Sequence, residues 1–426
     1  MNRRSFILTA GSCLVFAALI AGCSSAGSVN SPSTSGNSSS APGSGSTPHA
    51  AQGNIPVGVV GTFSGPEGTT TGSSKLAIEA WADAVNAAGG INGRQLQLYV
   101  EDDAGNPATS LVEVKTLVQQ DHVVAIVGEE SISAQPWASY VESQGVPVIG
   151  GNSAELTFLT SPDFYPAGGN LLSDYYGEVA LARQNGQKIA NVYCAEDPAC
   201  AATTTLVTGF GKPLGVSLSY TSKVAATQPD FTATCQGIKQ SGASSYALGL
   251  NSATILLMVA QCAQQGVTAK PVGSWVTTSG FASTAGLDGM ESADPVFPFF
   301  DDSTPATRQF QAALKKYAPS IGTAAEPLTP EVANAWVSGK LFQAAVAASG
   351  SQAVTSATVK KGLYALKGNT LGGLSAPLTF TPGKPTLDNC YYEYTIADGK
   401  FSELHGMTPQ CAPDSVISAM QSQLKI

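Results

Sequence analysis

Small hydroxyl and amide side chains follow several short apolar segments of the sequence. They are Ser64 after Ile55–Val60, Ser131 and Ser133 after Val123–Val127, Asn152 and Ser153 after Val146–Ile149, and Asn251 after Tyr246–Leu250. Each is followed by a stretch with helical periodicity. Hydroxyl groups, together with the free N–H groups at a helix start, suit a carboxylate or amide. Ser and Asn also favour helix N-caps, and a cap is compatible with a ligand contact, so both interpretations stay open.

Acidic and aromatic side chains occupy similar positions. The acids in these loops are Glu129, Glu130, Glu196 and Asp197. Any of them could meet an ammonium group, although exposed loop acids are mostly only solvated; we include Asp197 among the predicted ligand-binding residues. Phe63 and Trp275 could stack on an apolar part of a ligand or could belong to the core.

The run Glu101-Asp102-Asp103 could suggest acid/base chemistry or calcium binding. It ends a predicted strand, however, and Asn106 and Pro107 after it are typical of a capped helix start. We therefore predict that these acids cap the loop.

No pattern typical of catalysis is present in the sequence. The three histidines, His49, His122 and His405, belong to no H-E-x-x-H motif and to no cluster resembling a triad. There is no C-x-x-C, no G-x-G-x-x-G between Gly58 and Gly65, and no Walker-type G-K-[ST]. The net charge of -9 argues against a nucleic-acid partner. We predict a protein that is not an enzyme and that uses neither a cofactor nor a metal.

Strand-like and helical segments alternate along the chain. Ile55–Val60 precedes a helix over residues 72–88 that Gly89 stops, and the same order starts again at Lys188–Tyr193. This alternation predicts an α/β fold with parallel sheets, and its repetition predicts two lobes. Residues 389–397 and 400–403, around Asp398-Gly399, predict a terminal hairpin.

The N-terminus has the pattern of an export signal. Arg3 and Arg4 precede the apolar segment Phe6–Ile20, which is too short to span a bilayer, and Ala21-Gly22-Cys23 follows. We predict a lipoprotein signal peptide over residues 1–22 and a lipid-modified Cys23; an ordinary secretory signal is the alternative. Twin-arginine and Sec export both stay open. Residues 23–53 are rich in Ser, Gly and Pro, which predicts a disordered tether.

Six cysteines remain after Cys13 leaves with the signal and Cys23 takes the lipid. An even number in an exported chain indicates disulfides. Proximity in sequence suggests the pairs Cys194–Cys200, Cys235–Cys262 and Cys390–Cys411, with other pairings left open.

Several segments together resemble the leucine/isoleucine/valine-binding-protein-like family. They are Gly58–Pro66, Asn86–Arg94, Glu101–Pro107, Val124–Gly128 and Gly145–Ile149. The resemblance implies a type I periplasmic binding protein with two Rossmann-like lobes, connected by a hinge, that close on a ligand. It places crossings near residues 167–172, 296–300 and 368–377. Lobe 1 would comprise residues 54–170 and about 300–368, lobe 2 would comprise 171–299 and about 369–413, and residues 414–426 would be a C-terminal tail.

The resemblance also implies a function. The chain would be a monomeric substrate-binding lipoprotein of an ABC importer, anchored to the outer face of the cell membrane, with a membrane permease as partner and Ser131 and Ser153 holding a ligand carboxylate. The second lobe departs from the amino-acid-binding pattern, because the loop Cys194–Cys200 lacks a tyrosine and Trp275 stands where an acid is expected. An amino acid, an amide and a carboxylate all stay open as ligands. A sensory receptor module and a hydrolase on the same fold are the alternative functions.

Overall fold

Five parallel strands form the first sheet of the protein, in the order β2-β1-β3-β4-β5. The computed structural model describes residues 53–196 and 198–426. The strands are β1 (Ile55–Gly61), β2 (Leu96–Asp102), β3 (Ile126–Glu129), β4 (Val148–Gly151) and β5 (Phe164–Tyr165). All residues of β3 and β4 are buried, as expected for parallel strands that are covered on both faces.

Helices connect these strands. They are α1 (Gly68–Thr71), α2 (Ser74–Ala87), α3 (Pro107–Gln119), α4 (Gln135–Gln144) and α5 (Thr157–Thr160). The predicted start of α3 is confirmed, because Asn106 Oδ1 accepts hydrogen bonds from the N–H groups of Ala108 and Thr109. The predicted loop-capping role of the acids before α3 is also confirmed. Asp102 accepts from the Phe63 and Ala104 N–H groups, and Asp103 accepts from the Gly105 N–H group.

The second sheet has the order β14-β13-β10-β9-β8-β6-β7, and β15 pairs with β13. Its strands are β6 (Lys188–Cys194), β7 (Ser217–Val224), β8 (Ser245–Gly249), β9 (Lys270–Gly273), β10 (Glu291–Asp294), β13 (Cys390–Ala397), β14 (Lys400–Glu403) and β15 (Gln410–Cys411). Strands β6 to β10 are parallel, whereas β13 is antiparallel to both β10 and β14. The predicted terminal hairpin is therefore confirmed. The helices of this sheet are α6 (Leu171–Asn185), α7 (Thr203–Leu214), α8 (Thr232–Ser241), α9 (Ser252–Gln264) and α13 (Asp414–Leu424), with short 3-10 turns at Pro198–Ala202 and Ser279–Ser283.

The chain passes between the two sheets three times. It leaves the first sheet after β5 and returns to it after β10, where α10 (Pro305–Tyr317) packs on α2, α11 (Pro330–Ala348) packs on β3 and β4, and α12 (Ser356–Ala365) packs on α11. The small pair β11 (Lys367–Asn369) and β12 (Leu378–Thr379) follows. Leu371 and Phe380 belong to the same hydrophobic core as Trp81 and Trp336. The last passage to the second sheet thus runs through residues 381–389, later than the segment 368–377 that the resemblance gives.

Three disulfide bonds cross-link segments of the second sheet and its helices. They join Cys194 to Cys200, Cys235 to Cys262 and Cys390 to Cys411, which confirms the predicted pairs. Residues 414–426 contain α13, whose Ile417 and Met420 are buried against α6 and α7. Within residues 53–196 and 198–426, no helix combines the length and the apolar character needed to cross a bilayer.

Candidate functional site

The carboxyl ends of the parallel strands in both sheets face a common region, and side chains from the two sides touch there. Thr70 of α1 accepts a hydrogen bond from the Ser252 N–H group at the start of α9, at 3.1 Å. Ser153, after β4, donates its hydroxyl to Asp174 Oδ2 of α6 at 2.7 Å. Ligands of open α/β sheets bind beyond the carboxyl ends of the strands. This contact region is therefore the candidate functional site.

Ser131 lies at the edge of the region, and its hydroxyl forms hydrogen bonds within its own side of the protein. The Oγ donates to Asp103 Oδ2 and accepts from the Ser133 N–H group at 2.9 Å. Ser110 Oγ is also 3.3 Å from Ser131 Oγ. The side chain is fully buried, so it stabilises the turn between β3 and α4.

Asn152 and Ser153 follow β4 and differ in the direction of their contacts. Asn152 Oδ1 accepts from the Ala154 N–H group at 3.0 Å, which closes a local turn. The Ser153 hydroxyl reaches α6 on the other side of the region. Of the hydroxyl residues that the sequence points to in the first sheet, Ser153 is the one bonded to a residue beside the second sheet.

The remaining predicted contact residues are spread around the region. Phe63 is half-buried against the first core, and Ser64 is exposed beside Asp102. Asn251 caps α9 by accepting from the Thr254 N–H group at 2.9 Å. Trp275 is half-buried against the second core. Asp197 lies outside the described residues.

Five buried carboxyl groups, among them Asp174, interact electrostatically with one another, and we name them the acidic cluster. The members are Glu129, Glu130, Asp174, Asp294 and Glu331. Glu129 ends β3 and Glu130 follows it, Glu331 is the second residue of α11, Asp174 lies in the first turns of α6, and Asp294 ends β10. Each side chain is at most 1 % exposed. Residues beside both sheets and at the starts of two helices therefore contribute to the cluster.

Hydrogen bonds satisfy only part of the acidic cluster. Asp294 accepts from the Tyr394 hydroxyl at 2.5 Å and from Ser292 Oγ at 3.1 Å. Glu129 Oε1 accepts from the Ser131 N–H group at 2.8 Å. One oxygen each of Glu129 and Asp174 has no hydrogen-bond partner among the described residues, whereas the carboxyl groups of Glu130 and Glu331 hydrogen-bond each other. Unpartnered buried oxygens are uncommon in folded proteins and call for an explanation.

Burial and mutual repulsion disfavour the charged forms of these groups. Burial raises the pKa of Asp294 to about 7, although the Tyr394 and Ser292 hydrogen bonds oppose the shift. Burial also raises the pKa of Glu331 to about 7. Burial, followed by the charge of Glu331, raises the pKa of Glu130 well above its usual value. For Asp174 the pKa is raised by burial and by the charges of Asp294 and Glu331. These shifts place the five groups in one electrostatic unit.

The sequence pointed to part of this cluster. Glu129 and Glu130 are among the loop acids that the sequence points to, whereas Asp174, Asp294 and Glu331 are not. Glu331 is the second residue of α11, and Thr329 and Pro330 directly before it are typical of a helix start, which is the signal that the sequence offers for it. Asp294 ends β10, whose sequence Glu-Ser-Ala-Asp has no apolar alternation and gave no strand signal.

Comparison with known proteins decides the family. The sequence profile described as "Periplasmic binding protein" matches residues 54–400. The chain belongs to the periplasmic binding protein family. The resemblance to the leucine/isoleucine/valine-binding-protein-like group and the type I α/β fold are thereby confirmed.

Individual members of the periplasmic binding protein family show what this chain is similar to. An "Amino acid binding protein" of Pseudomonas aeruginosa is 28% identical over 242 residues, which span 54% of this chain and 63% of that relative. A branched-chain amino acid ABC transporter protein from Thermus thermophilus, solved with bound valine, superimposes with a TM-score of 0.75 at 16% identity, covering 87% of this chain and 99% of that one. A solute-binding protein from R. palustris in complex with benzoate gives a TM-score of 0.69 at 15% identity, covering 85% and 98% of the two chains. These relatives are binding proteins rather than enzymes.

Proposed function

We propose that the chain is the extracytoplasmic solute-binding lipoprotein of an ABC importer. It captures a small metabolite between the two sheets and delivers it to a membrane permease. The protein works as a monomer, because one chain supplies both sides of the site. Amino acids, amides and carboxylates are the classes of solute that the family resemblance implies.

One observation carries the proposal: polar side chains from both sheets meet at the strand carboxyl ends. Ser153 and Asp174 join the two sides by a hydrogen bond, as do Thr70 and Ser252. A solute held there contacts both sides at once and favours the closed form of a hinged pair. The relatives named above, an amino acid binding protein and proteins solved with valine or benzoate, support solute capture.

The proposed contact residues come from the loops at this junction. They are Phe63, Ser64, Ser133, Asn152, Ser153, Asp197, Asn251 and Trp275, whereas Ser131 supports the turn between β3 and α4. Ser153 has the most direct support among them because its hydroxyl already bridges the two sides.

The N-terminal part of the proposal concerns residues outside the described ones. Residues 1–22 act as the signal peptide, Cys23 carries the lipid, and residues 24–53 tether the binding body to the outer face of the membrane. Mass spectrometry of the protein from membranes tests this: a diacylglyceryl group on an N-terminal Cys23 supports the anchor, and a water-soluble protein that begins elsewhere contradicts it.

Solute capture is tested by a metabolite screen followed by scattering. We expect at least one small metabolite to raise the melting temperature, because a ligand at 100 times its Kd adds about 2.7 kcal/mol of stability. The same compound is expected to lower the radius of gyration and to be recovered unchanged after long incubation. A broad screen with no binder, or conversion of the bound compound, contradicts the proposed function.

A further inference from the structure

A pocket with a volume of about 440 Å³ lies beside the first sheet, away from the candidate functional site. Its walls come from the turn between α2 and β2, from one face of α11 and from the end of β11 with the residues after it. The turn precedes β2, so the pocket is at the amino end of the sheet, opposite the carboxyl ends. The residues that bear on its chemistry are Ile91, Lys340, Gln343, Ala344, Asn369 and Leu371.

The side chain of Lys340 is half-buried in this pocket and has no partner. Within residues 53–196 and 198–426, its ammonium group forms neither an ion pair nor a hydrogen bond. No acidic side chain is among the described residues that line the pocket. Burial lowers the pKa of Lys340, because nothing offsets the lost hydration of its charge. The pocket therefore contains a positive charge that lacks a counterion.

Two amide side chains line the same pocket, and their neighbours fix their orientation. Trp81 Nε1 donates to Gln343 Oε1 at 3.0 Å, and the Leu371 N–H group donates to Asn369 Oδ1 at 2.8 Å. An indole and a backbone N–H group can only donate, so the amide oxygens must accept from them. The NH₂ groups of Gln343 and Asn369 are thus left as donors without an acceptor among the described residues.

From this arrangement we propose that the pocket is a second binding site, separate from the cleft between the sheets, for the carboxylate of a small organic acid. Lys340 would supply the opposite charge, and the NH₂ groups of Gln343 and Asn369 would donate to the carboxylate oxygens. A carboxylate only accepts hydrogen bonds, which matches a set of side chains that has only donors free. The volume lies within the range of small-molecule sites, roughly 300–1,000 Å³.

The apolar walls of the pocket favour an acid with a short hydrocarbon chain. Ile91, Ala344 and Leu371 supply these walls. A chain of a few carbon atoms that packs on them removes apolar surface from water, which favours binding. An inorganic anion would satisfy the donors but leave the apolar surface exposed.

Two purely structural roles explain the arrangement less well. A lysine near the C-terminus of a helix can interact with the helix dipole, but the effect falls off within the last turn. Lys340 lies about two turns before the end of α11 at Ala348. A lysine can also extend its ammonium group into solvent along an apolar surface. That role leaves two oriented amide donors in the same pocket without an explanation.

The test is isothermal titration calorimetry of the purified protein with sodium butyrate at pH 7.5 and constant ionic strength. We expect butyrate to bind with a Kd of about 1 mM or below. Butyramide has the same shape without the charge and should bind at least about tenfold more weakly. Inorganic phosphate should also bind more weakly than butyrate, since it cannot use the apolar walls. Phosphate that binds as tightly as butyrate would contradict the assignment to an organic acid.

Variants of the pocket locate the binding. Lys340→Met removes the charge at similar length and should weaken butyrate at least about tenfold, whereas Lys340→Arg should retain most of the affinity. Gln343→Glu keeps an acceptor for Trp81 but replaces the NH₂ group by a charged oxygen, so butyrate should be repelled. Lys315→Met, at an exposed lysine of α10, is the matched control for the loss of one charge. Without ligand, Lys340→Met should melt at the wild-type temperature or above, because it removes an unpaired charge.

Ser153→Ala separates this site from the candidate functional site and should leave butyrate affinity unchanged. If Ser153→Ala weakens butyrate and Lys340→Met does not, butyrate is a solute of the cleft; solute capture then stands and the second site is wrong. The second site is also wrong if butyrate does not bind the wild type. If butyrate binds through Lys340 and the metabolite screen finds no solute that closes the protein, the second site stands and the proposed function fails.

Discussion

Ser131 and Ser153 show how two residues of the same type acquire different roles. Both follow strands of the first sheet, and helix capping and ligand contact were both open from the sequence. In the structure Ser131 donates to Asp103 within its own side of the molecule, whereas Ser153 donates to Asp174 beside the second sheet. Of the two serines, only Ser153 therefore forms a hydrogen bond between the two sides.

Alanine substitutions at the two serines should separate these roles. Both Ser131→Ala and Ser153→Ala should lower the free energy of unfolding in urea by about 1–2 kcal/mol, because each leaves a buried carboxyl with one donor fewer. Solute affinity should fall for Ser153→Ala and stay near the wild-type value for Ser131→Ala. Ser143→Ala is the control, since Ser143 is exposed and bonds only within its own helix turn and to its neighbour Gln144. Equal losses of affinity at residues 131 and 153 would contradict this distinction.

The acidic cluster predicts an unusual dependence of stability on pH. The pKa of Glu331 and of Asp294 is about 7 in the folded protein because of burial, so both groups keep their protons at pH values where the unfolded chain has lost them. Without solute, these two groups should lower the free energy of unfolding as the pH rises from about 4 to about 7, by up to about 1.4 kcal/mol per pH unit for one group.

Urea unfolding between pH 5 and pH 8 measures this effect. Glu331→Gln should flatten the profile, and Asp302→Asn, at an exposed residue, controls for the change in net charge. Parallel profiles for Glu331→Gln and the wild type would show that Glu331 is not a source of the slope.

Among the elements, the second sheet relies on covalent links. Cys235–Cys262 joins α8 to α9, and Cys194–Cys200 joins the end of β6 to the turn before α7. The sequence separations are 27 and 6 residues. A longer closed loop loses more chain entropy on cross-linking, so the two bonds differ in their contribution to stability.

The loss of stability in paired Cys→Ala variants should follow the lengths of the two closed loops. Removing Cys235–Cys262 should lower the free energy of unfolding by about 3.5 kcal/mol, and removing Cys194–Cys200 by about 2 kcal/mol, on the loop-entropy relation. The shorter bridge should affect solute affinity more, because its loop follows a strand end at the candidate site. If affinity is unchanged without Cys194–Cys200, that loop is not a wall of the site.

At the scale of the whole molecule, three passages of the chain connect the two sheets, and few hydrogen bonds hold their facing sides together. Thr70 contributes two of these contacts, to the N–H group and to the Oγ of Ser252, each at 3.1 Å. Such a junction, with covalent connections at one side and polar contacts at the other, is suited to hinge motion.

Thr70→Val should favour the open form. Loss of one to two hydrogen bonds, about 1 kcal/mol each, shifts the ratio of open to closed molecules by about five- to thirtyfold. Small-angle scattering with a bound solute should then show a larger radius of gyration at a given solute concentration. Thr69→Val is the matched control, because Thr69 bonds only to the Pro66 carbonyl in its own loop. An unchanged radius of gyration for Thr70→Val would contradict a role of this contact in closure.

Local patterns in the sequence predicted most of the elements. Lys188–Tyr193 is a strand as expected, and the helix predicted over residues 72–88 is present as α2 (Ser74–Ala87). Apolar runs and helical periodicity report burial directly, so these elements could be predicted without knowing their neighbours. The disulfide pairs were also predictable, because each joins cysteines close in sequence.

The sequence by itself determined the class of fold, the repeated βα order and the family, since each depends on residues near one another in the chain. Only the tertiary structure decided which polar residues meet. Glu130, Asp174, Asp294 and Glu331 span about half of the chain length and come together because two sheets face each other with their carboxyl ends. Burial then raises their pKa values, a property that depends on the surrounding protein and not on local sequence.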